Sequence, residues 1–308
     1  MGKSNTSRII LDWPEERAAE DERYPRWCVP GSNICLDFHG DPARANLVVF
    51  SDGNHHMALR ESLHRFLAQN PGVYDIFYAT TPPGPVVNML RSGGLRLGNL
   101  TISATPHLFI SPPDVLDRLV AGGEMAGHVP FVRNQGNVLL VRKGNPKNIR
   151  SVVDLLRDDV RLFLSNPDTE TASFTAYYET LRALAPDTET GRGFPDAKIS
   201  KGQVVYGERI HHREAPQAVA EGSADAAMVF YHLALRYLRI FPEHFDAVPL
   251  GGSMDAPDPL PGNVTGVTHM GLVGEGGKWG MNLLEFLRSA QVMDIYRSHG
   301  LLSAEGSA

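Results

Sequence analysis

The 308-residue sequence is short of several things, and each shortage excludes something. No apolar run approaches the ~20 residues that cross a bilayer, so no membrane insertion is expected. There is no basic run with interleaved aromatics. Acidic and basic residues are mixed to a formal net charge of −6, and no nucleic-acid partner is expected. Cysteine is scarce, with only Cys28 and Cys35 present. Their loop could close as a disulfide in an oxidising compartment, or join His39 in a zinc site that lacks a fourth ligand. The plainer expectation is two reduced thiols in a packed N-terminal loop.

An export signal needs an apolar run of ~7–15 residues after a positive start. Here Ile9-Ile10-Leu11 is cut short by Asp12 and Pro14. The expected location is therefore cytoplasmic as the sequence stands, or periplasmic if an export signal was trimmed or missed. Signatures of catalysis are missing too. No HExxH occurs, and the glycine-rich Gly271–Lys278 is followed by Trp279 where a phosphate-binding loop needs Ser or Thr. Ser51, Asp52 and His55 are the residue types of a hydrolase triad, but no GxSxG elbow presents them. The expectation is a protein that is not an enzyme and carries no cofactor.

What is present is ordinary globular material, 42% hydrophobic and 21% charged, long enough for two domains. Residues 1–45 are polar and acidic, with one strand candidate at Arg8–Trp13, and read as an N-terminal extension. Ala45–Phe50 is a continuous apolar run of the kind buried inside a parallel sheet. It stops at Ser51-Asp52-Gly53-Asn54 and leads into a helix, Met57–Gln69, whose Leu59, Leu63, Phe66 and Leu67 make one apolar face. Strand, turn and helix then alternate. Strands are expected at 73–78, 100–103, 108–110, 137–142, 160–164, 203–206, 226–230 and 265–273. Helices are expected at 86–91, 114–121, from Ser151, 173–184, 213–221 and 279–298, with a polar loop at 187–196. That alternation predicts βαβ units and mainly parallel sheets.

Several segments in this order resemble the substrate-binding proteins of ABC transporters for molybdate and tungstate. They are LVVFSDGNHHMALRESLHRF, PFVRNQGNVLLVRKGNPKNIRSVVDLL, VRLFLSNPDTETASFTAYYETL, APQAVAEGSADAAMVF and the closing MNLLEFLRSAQVMDIYRSHGL. The similarity covers residues 45–300 or so, and is most specific around 130–156. It implies a type II periplasmic-binding-protein fold, α/β and two-lobed. Each lobe would be a mainly parallel sheet flanked by helices, with the ligand in a cleft between lobes. In this reading lobe 1 is 46–134 plus 246–308 and lobe 2 is 135–245. It further implies capture of a small tetrahedral oxyanion by closure of the lobes, with an ABC permease as partner.

Chemistry points to the same turns. Ligands of open parallel sheets bind beyond the carboxyl ends of strands, where helix N-termini offer free N–H groups to anions. The turns are Ser51–His56, Thr80–Gly84, Ser165–Thr171 and Phe230–His232. By the resemblance, Ser51, Thr80 or Thr81, and Thr169 to Thr171 take the positions that hold the oxyanion, with Asn54 as a further donor. The family's tyrosine after the last strand falls on Phe230, with Tyr231 one residue later and so on the opposite face. Arg133 would contribute charge or brace the hinge. The first turn departs from the family in carrying Asp52 and the pair His55-His56, and an acidic residue beside a dianion is unfavourable unless it points away.

Five histidines fall at or near these turns: His55, His56, His211, His212 and His232. They could cap helices and line an edge, or donate to the anion, as expected of His55 and His232. Alternatively His56, His212 and His232 could hold a transition metal, which needs three or four such groups converging. A cytoplasmic sensor or metal-handling protein on this fold is the second functional expectation, and an enzyme on it a third.

Overall fold

The computed structural model describes residues 38–81, 83–97, 100–208 and 211–304. The expected strand at Arg8–Trp13, together with Cys28 and Cys35, lies outside them. In chain order the strands are β1 (Phe38–His39), β2 (Leu47–Ser51), β3 (Ile76–Thr80), β4 (Leu95–Leu97), β5 (Leu100–Ile102), β6 (Leu108–Ser111) and β7 (Val129–Arg133). They continue with β8 (Asn137–Arg142), β9 (Leu162–Leu164), β10 (Val204–Tyr206), β11 (Ala226–Phe230), β12 (Phe245–Pro249), β13 (Val267–Leu272) and β14 (Leu302–Ser303). The chain divides into two compact units. The second is Gln135–Thr265, and the first holds the described residues up to Asn134 and from Gly266 onward.

The first unit is built on a seven-stranded sheet in the order β1-β3-β2-β6-β13-β7-β14. β2 lies between β3 and β6 and is parallel to both, while β13 runs antiparallel to β6 and β7. Alternation along β2 sends Leu47 and Val49 to one face and Val48 and Phe50 to the other, and each face has its own core. Helix His56–Gln69 lays Ala58, Leu59, Leu63 and Phe66 on the Leu47–Val49 face. Near the C-terminus one helix was expected over 279–298. Two form instead, Gly280–Leu287 and Ala290–Ser298, because Ser289 takes an extended backbone (ψ 153°) between them.

The second unit has a five-stranded sheet, β10-β9-β11-β8-β12. β9 is parallel to β10 and β11, whereas β8 runs antiparallel to β11 and β12. The pairing of β12 with β8 along Phe245–Pro249 moves one boundary. The return to the first unit was expected at 246, but the ladder keeps 246–265 with the second unit. Three local expectations also change. Ser151 opens a 3-10 turn, Val152–Leu156, with a full capping box, in place of a longer helix. The loop at 187–196 contains the short helix Glu189–Arg192 and meets another at Asp196–Ser200. A helix at Tyr231–Ile240 follows β11 directly, where none was expected.

Two details show how this unit compensates for awkward residues. Pro216 lies inside helix His211–Glu221 and has no N–H for the His212 carbonyl four residues back. The Tyr237 hydroxyl donates to that carbonyl at 2.6 Å. Gly136 takes φ +78°, and a Cβ there would stand 2.9 Å from the Asn263 amide group, so a side chain fits neither the backbone nor the space.

Candidate functional site

In the first unit the carboxyl ends of three neighbouring parallel strands each finish in a hydroxyl: Thr80 on β3, Ser51 on β2 and Ser111 on β6. The ladder holds to its last residue. Ser51 is in register with Thr80 and Ile110, the Thr81 N–H donates to the Ser51 carbonyl, and the Asp52 N–H donates to the Ile110 carbonyl, both at 3.1 Å. All four hydroxyl residues, Thr81 included, are buried. Alternation places Ser51 and Thr80 on one face and Thr81 and Ser111 on the other.

Ser51, Asp52 and His55 form a connected group. Ser51 Oγ is 2.9 Å from both the Asp52 carbonyl and His55 Nε2, and His55 Nδ1 is 2.9 Å from the Tyr296 hydroxyl. A carbonyl only accepts, so the arrangement that satisfies every group has Ser51 donating to Asp52, His55 donating from Nε2, and Tyr296 donating to Nδ1. Asp52 Oδ1 accepts the Asn54 N–H at 3.2 Å and lies 3.5 Å from the same His55 Nε2. A hydrolase triad needs the carboxylate on the nitrogen away from the serine. Here both face Nε2, so these residue types do not make a triad.

Burial pushes the Asp52 carboxyl up to about 7, and the single Asn54 amide bond offsets only part of that. His56 Nδ1 donates to the Gly53 carbonyl at 2.8 Å and helps start its helix. Thr80 Oγ1 lies 3.3 Å from His39 Nε2, which places His39 with Thr80. Asn54 is half-buried, and Arg133 is exposed at the end of β7 with no ion pair among the described residues. Ser111 was not singled out from the sequence. Its hydroxyl is fully buried and without a hydrogen-bond partner among the described residues. The signal was available, since Leu-Phe-Ile-Ser-Pro-Pro repeats the strand, hydroxyl, helix-start pattern of Ser51.

In the second unit β9 ends at buried Ser165, whose Oγ lies 2.9 Å from that of Ser173 in the helix Thr171–Leu184. Thr169 and Thr171 are exposed, and Thr171 Oγ1 donates to the Pro167 carbonyl at 2.8 Å. Glu170 sits between them and accepts the His211 N–H on Oε2 at 2.9 Å, so a carboxyl caps the helix His211–Glu221. Burial raises it to about 7, with the Glu214 charge adding to the rise. The His211 imidazole is buried between Phe163 and Tyr177, with neither ring nitrogen hydrogen-bonded among the described residues, and burial lowers it to about 3. Tyr231 does donate, but to the Met254 carbonyl at 2.7 Å, and His232 stacks on Phe230 at 5.7 Å. His212 is buried in the same unit.

Among the described residues no three His, Cys, Asp or Glu side chains are grouped to hold a metal ion. The set His56, His212 and His232 therefore has no support as a metal site. His56 is turned onto its own helix start, and His232 onto an aromatic ring.

In the first unit three adjacent parallel strands end at buried hydroxyls, and in the second β9 runs into buried Ser165, a layout suited to holding a small substrate. The chain belongs to the family of bacterial extracellular solute-binding proteins, whose model matches residues 47–302. Over 153 residues it is 29% identical to the molybdate-binding protein ModA of Mycobacterium tuberculosis, covering 48% of this chain. The match spans 54% of that relative's length, about half of it. Among solved structures, the sulfate-binding protein SubI from Mycobacterium tuberculosis superposes with a TM-score of 0.61 at 17% identity, covering 84% of this chain and 87% of that one. The Azotobacter vinelandii periplasmic molybdate-binding protein superposes with a TM-score of 0.55 at 15% identity, covering 83% and 99%. At these identities the structures speak for the fold alone.

Proposed function

We propose that the protein captures a small tetrahedral oxyanion at the strand ends of the first unit and passes it to an ABC permease. The observation that carries this reading is the row of Thr80, Ser51 and Ser111, with a hydroxyl at the end of each of three adjacent parallel strands. Hydroxyls and main-chain N–H groups at such positions neutralise an oxyanion without a paired Lys or Arg. The similarity to molybdate-binding relatives supports the same class of ligand.

Capture would involve no covalent step. Asn54 and the hydroxyls of Thr80, Thr81 and Ser111 would donate to ligand oxygens, and His55 would hold Ser51 in place. Thr169, Thr171, Tyr231 and His232 in the second unit are secondary candidates.

Titration calorimetry of the metal-free protein against phosphate, molybdate, tungstate, sulfate, zinc and nickel tests the reading. Binding of at least one oxyanion is expected. Silence toward every anion, with a metal bound and protons released, would replace it with the metal-handling alternative.

A further inference from the structure

The hydroxyl row supplies donors, and beside it stands one acceptor. Asp52 follows Ser51 at the end of β2, and its amide is bonded to the carbonyl of Ile110, the residue before Ser111. Asp52 Oδ1 faces the Asn54 N–H and His55 Nε2. Its Oδ2 has no hydrogen-bond partner among the described residues, and the side chain keeps a little exposure. The buried Ser111 hydroxyl on the neighbouring strand is also without a partner. One uncommitted donor and one uncommitted acceptor therefore lie at adjacent strand ends.

A ligand held there has to present both an oxygen that accepts and an O–H that donates. A carboxylate oxygen only accepts. Facing a fully deprotonated oxyanion it gives oxygen against oxygen with no proton between, and such like-charge contacts carry a heavy cost in a buried site. An oxyanion that still carries a proton turns the same contact into a charge-assisted hydrogen bond.

We infer that Asp52 is the specificity-determining residue of the site and selects oxyanions that carry a proton, of the hydrogenphosphate and hydrogenarsenate kind, over sulfate and molybdate. The inference rests on the oxyanion reading above and deepens it. Asp52 therefore explains how a frame similar to molybdate binders would take a different anion. His55 keeps Asp52 and Ser51 in place, and Tyr296 fixes the imidazole.

The test is calorimetric titration of the full chain at pH 8 with inorganic phosphate, arsenate, sulfate and molybdate. Phosphate and arsenate retain one proton at that pH, whereas sulfate and molybdate have none. Phosphate and arsenate are expected to bind at least about 100-fold more tightly than the other two. In Asp52→Asn, which supplies an amide N–H, the preference is expected to fall to within about tenfold, with sulfate and molybdate gaining. Wild-type protein that binds sulfate or molybdate as tightly as phosphate overturns the inference and leaves the oxyanion reading standing. So does an unchanged ratio in a folded Asp52→Asn protein. The wild-type ratio needs no variant to fold. If folded wild type binds none of the four anions, the oxyanion reading falls and takes the inference with it.

Discussion

The two units share one building plan and use their buried polar groups differently. In the first, the polar network sits at strand ends: Ser51, Asp52 and His55, anchored by Tyr296. In the second, the best-connected network ties the start of β8 to the segment that leaves the unit. Asn263 Oδ1 accepts the Asn137 N–H, and Asn263 Nδ2 donates to the Asn137 and Leu250 carbonyls. Asn137 Nδ2 donates to Thr180, whose hydroxyl oxygen accepts the Val264 N–H. The first network leaves a carboxylate oxygen and the neighbouring Ser111 hydroxyl unused, while the Asn263 amide has every group matched. In that second network Asn137 Oδ1 alone is buried without a partner among the described residues. An unused donor beside an unused acceptor at strand ends suits ligand recognition, whereas a matched amide such as that of Asn263 rigidifies.

The largest effect should come from removing the fully matched Asn263 amide. Asn263→Ala removes three hydrogen bonds and leaves the main-chain carbonyl and N–H of Asn137 without those partners, while the Leu250 carbonyl keeps the Leu260 N–H. The expected cost is about 4 kcal/mol, since each abandoned buried group carries roughly 1–3 kcal/mol and water recovers part of it. Urea unfolding of the variant measures this. A loss below about 1 kcal/mol would mean that the Asn263 network does not brace its unit.

Asn263 also shows what the sequence could not reveal. Its partners lie 126 and 13 positions away, and no local pattern connects them. Local signals did better. Most strands and most helices of both units were legible from apolar runs ended by Gly, Pro, Asn and Ser. Ser51, Thr80 and Thr81 were legible because they stop those runs. The edge strand β12 was missed because Phe-Asp-Ala-Val-Pro is half-buried and short, and the boundary at 246 went wrong with it. At the site, Tyr231 and His232 were chosen for their chemistry, yet packing turned one toward Met254 and the other onto Phe230. Sequence supplies the residue type, and only long-range packing decides which way it faces.

An intermediate effect should appear in the pH dependence of stability. Asp52 is raised from 3.8 to about 7 and Glu170 from 4.5 to about 7, so each unit holds a carboxyl that keeps its proton when the unfolded chain has lost it. Between about pH 4 and pH 7 the folded state therefore binds more protons. Unfolding free energy falls as pH rises through that window and levels off above it. For Asp52 a shift of about three units is on the order of 4 kcal/mol. That shift is already net of the Asn54 amide bond, and the part that falls between pH 4.5 and 8 is roughly 3 kcal/mol. Asp52→Asn should flatten the first unit's share of this slope, and Glu170→Gln the second's, each read as the difference in unfolding free energy from wild type at pH 4.5 and 8. Equal slopes in wild type and Asp52→Asn would show that Asp52 ionises normally.

The smallest effect is expected at His211, and it sharpens the contrast most directly. Its ring is neutral at any working pH, because burial holds it near 3. A neutral imidazole keeps one N–H and one lone pair, and both are here removed from water with nothing to bond among the described residues. Phe163 and Tyr177 flank the ring at 5.5 and 5.0 Å, so a phenyl group meets aromatic neighbours and has no polar atoms to satisfy. His211→Phe should therefore raise stability by about 1 kcal/mol, the relief of desolvation less a small overpacking cost. If recognition belongs to the first unit, oxyanion affinity should stay within about twofold. A tenfold loss of affinity in the stabilised variant would instead make the unpartnered imidazole a ligand donor, and both units would then share in recognition.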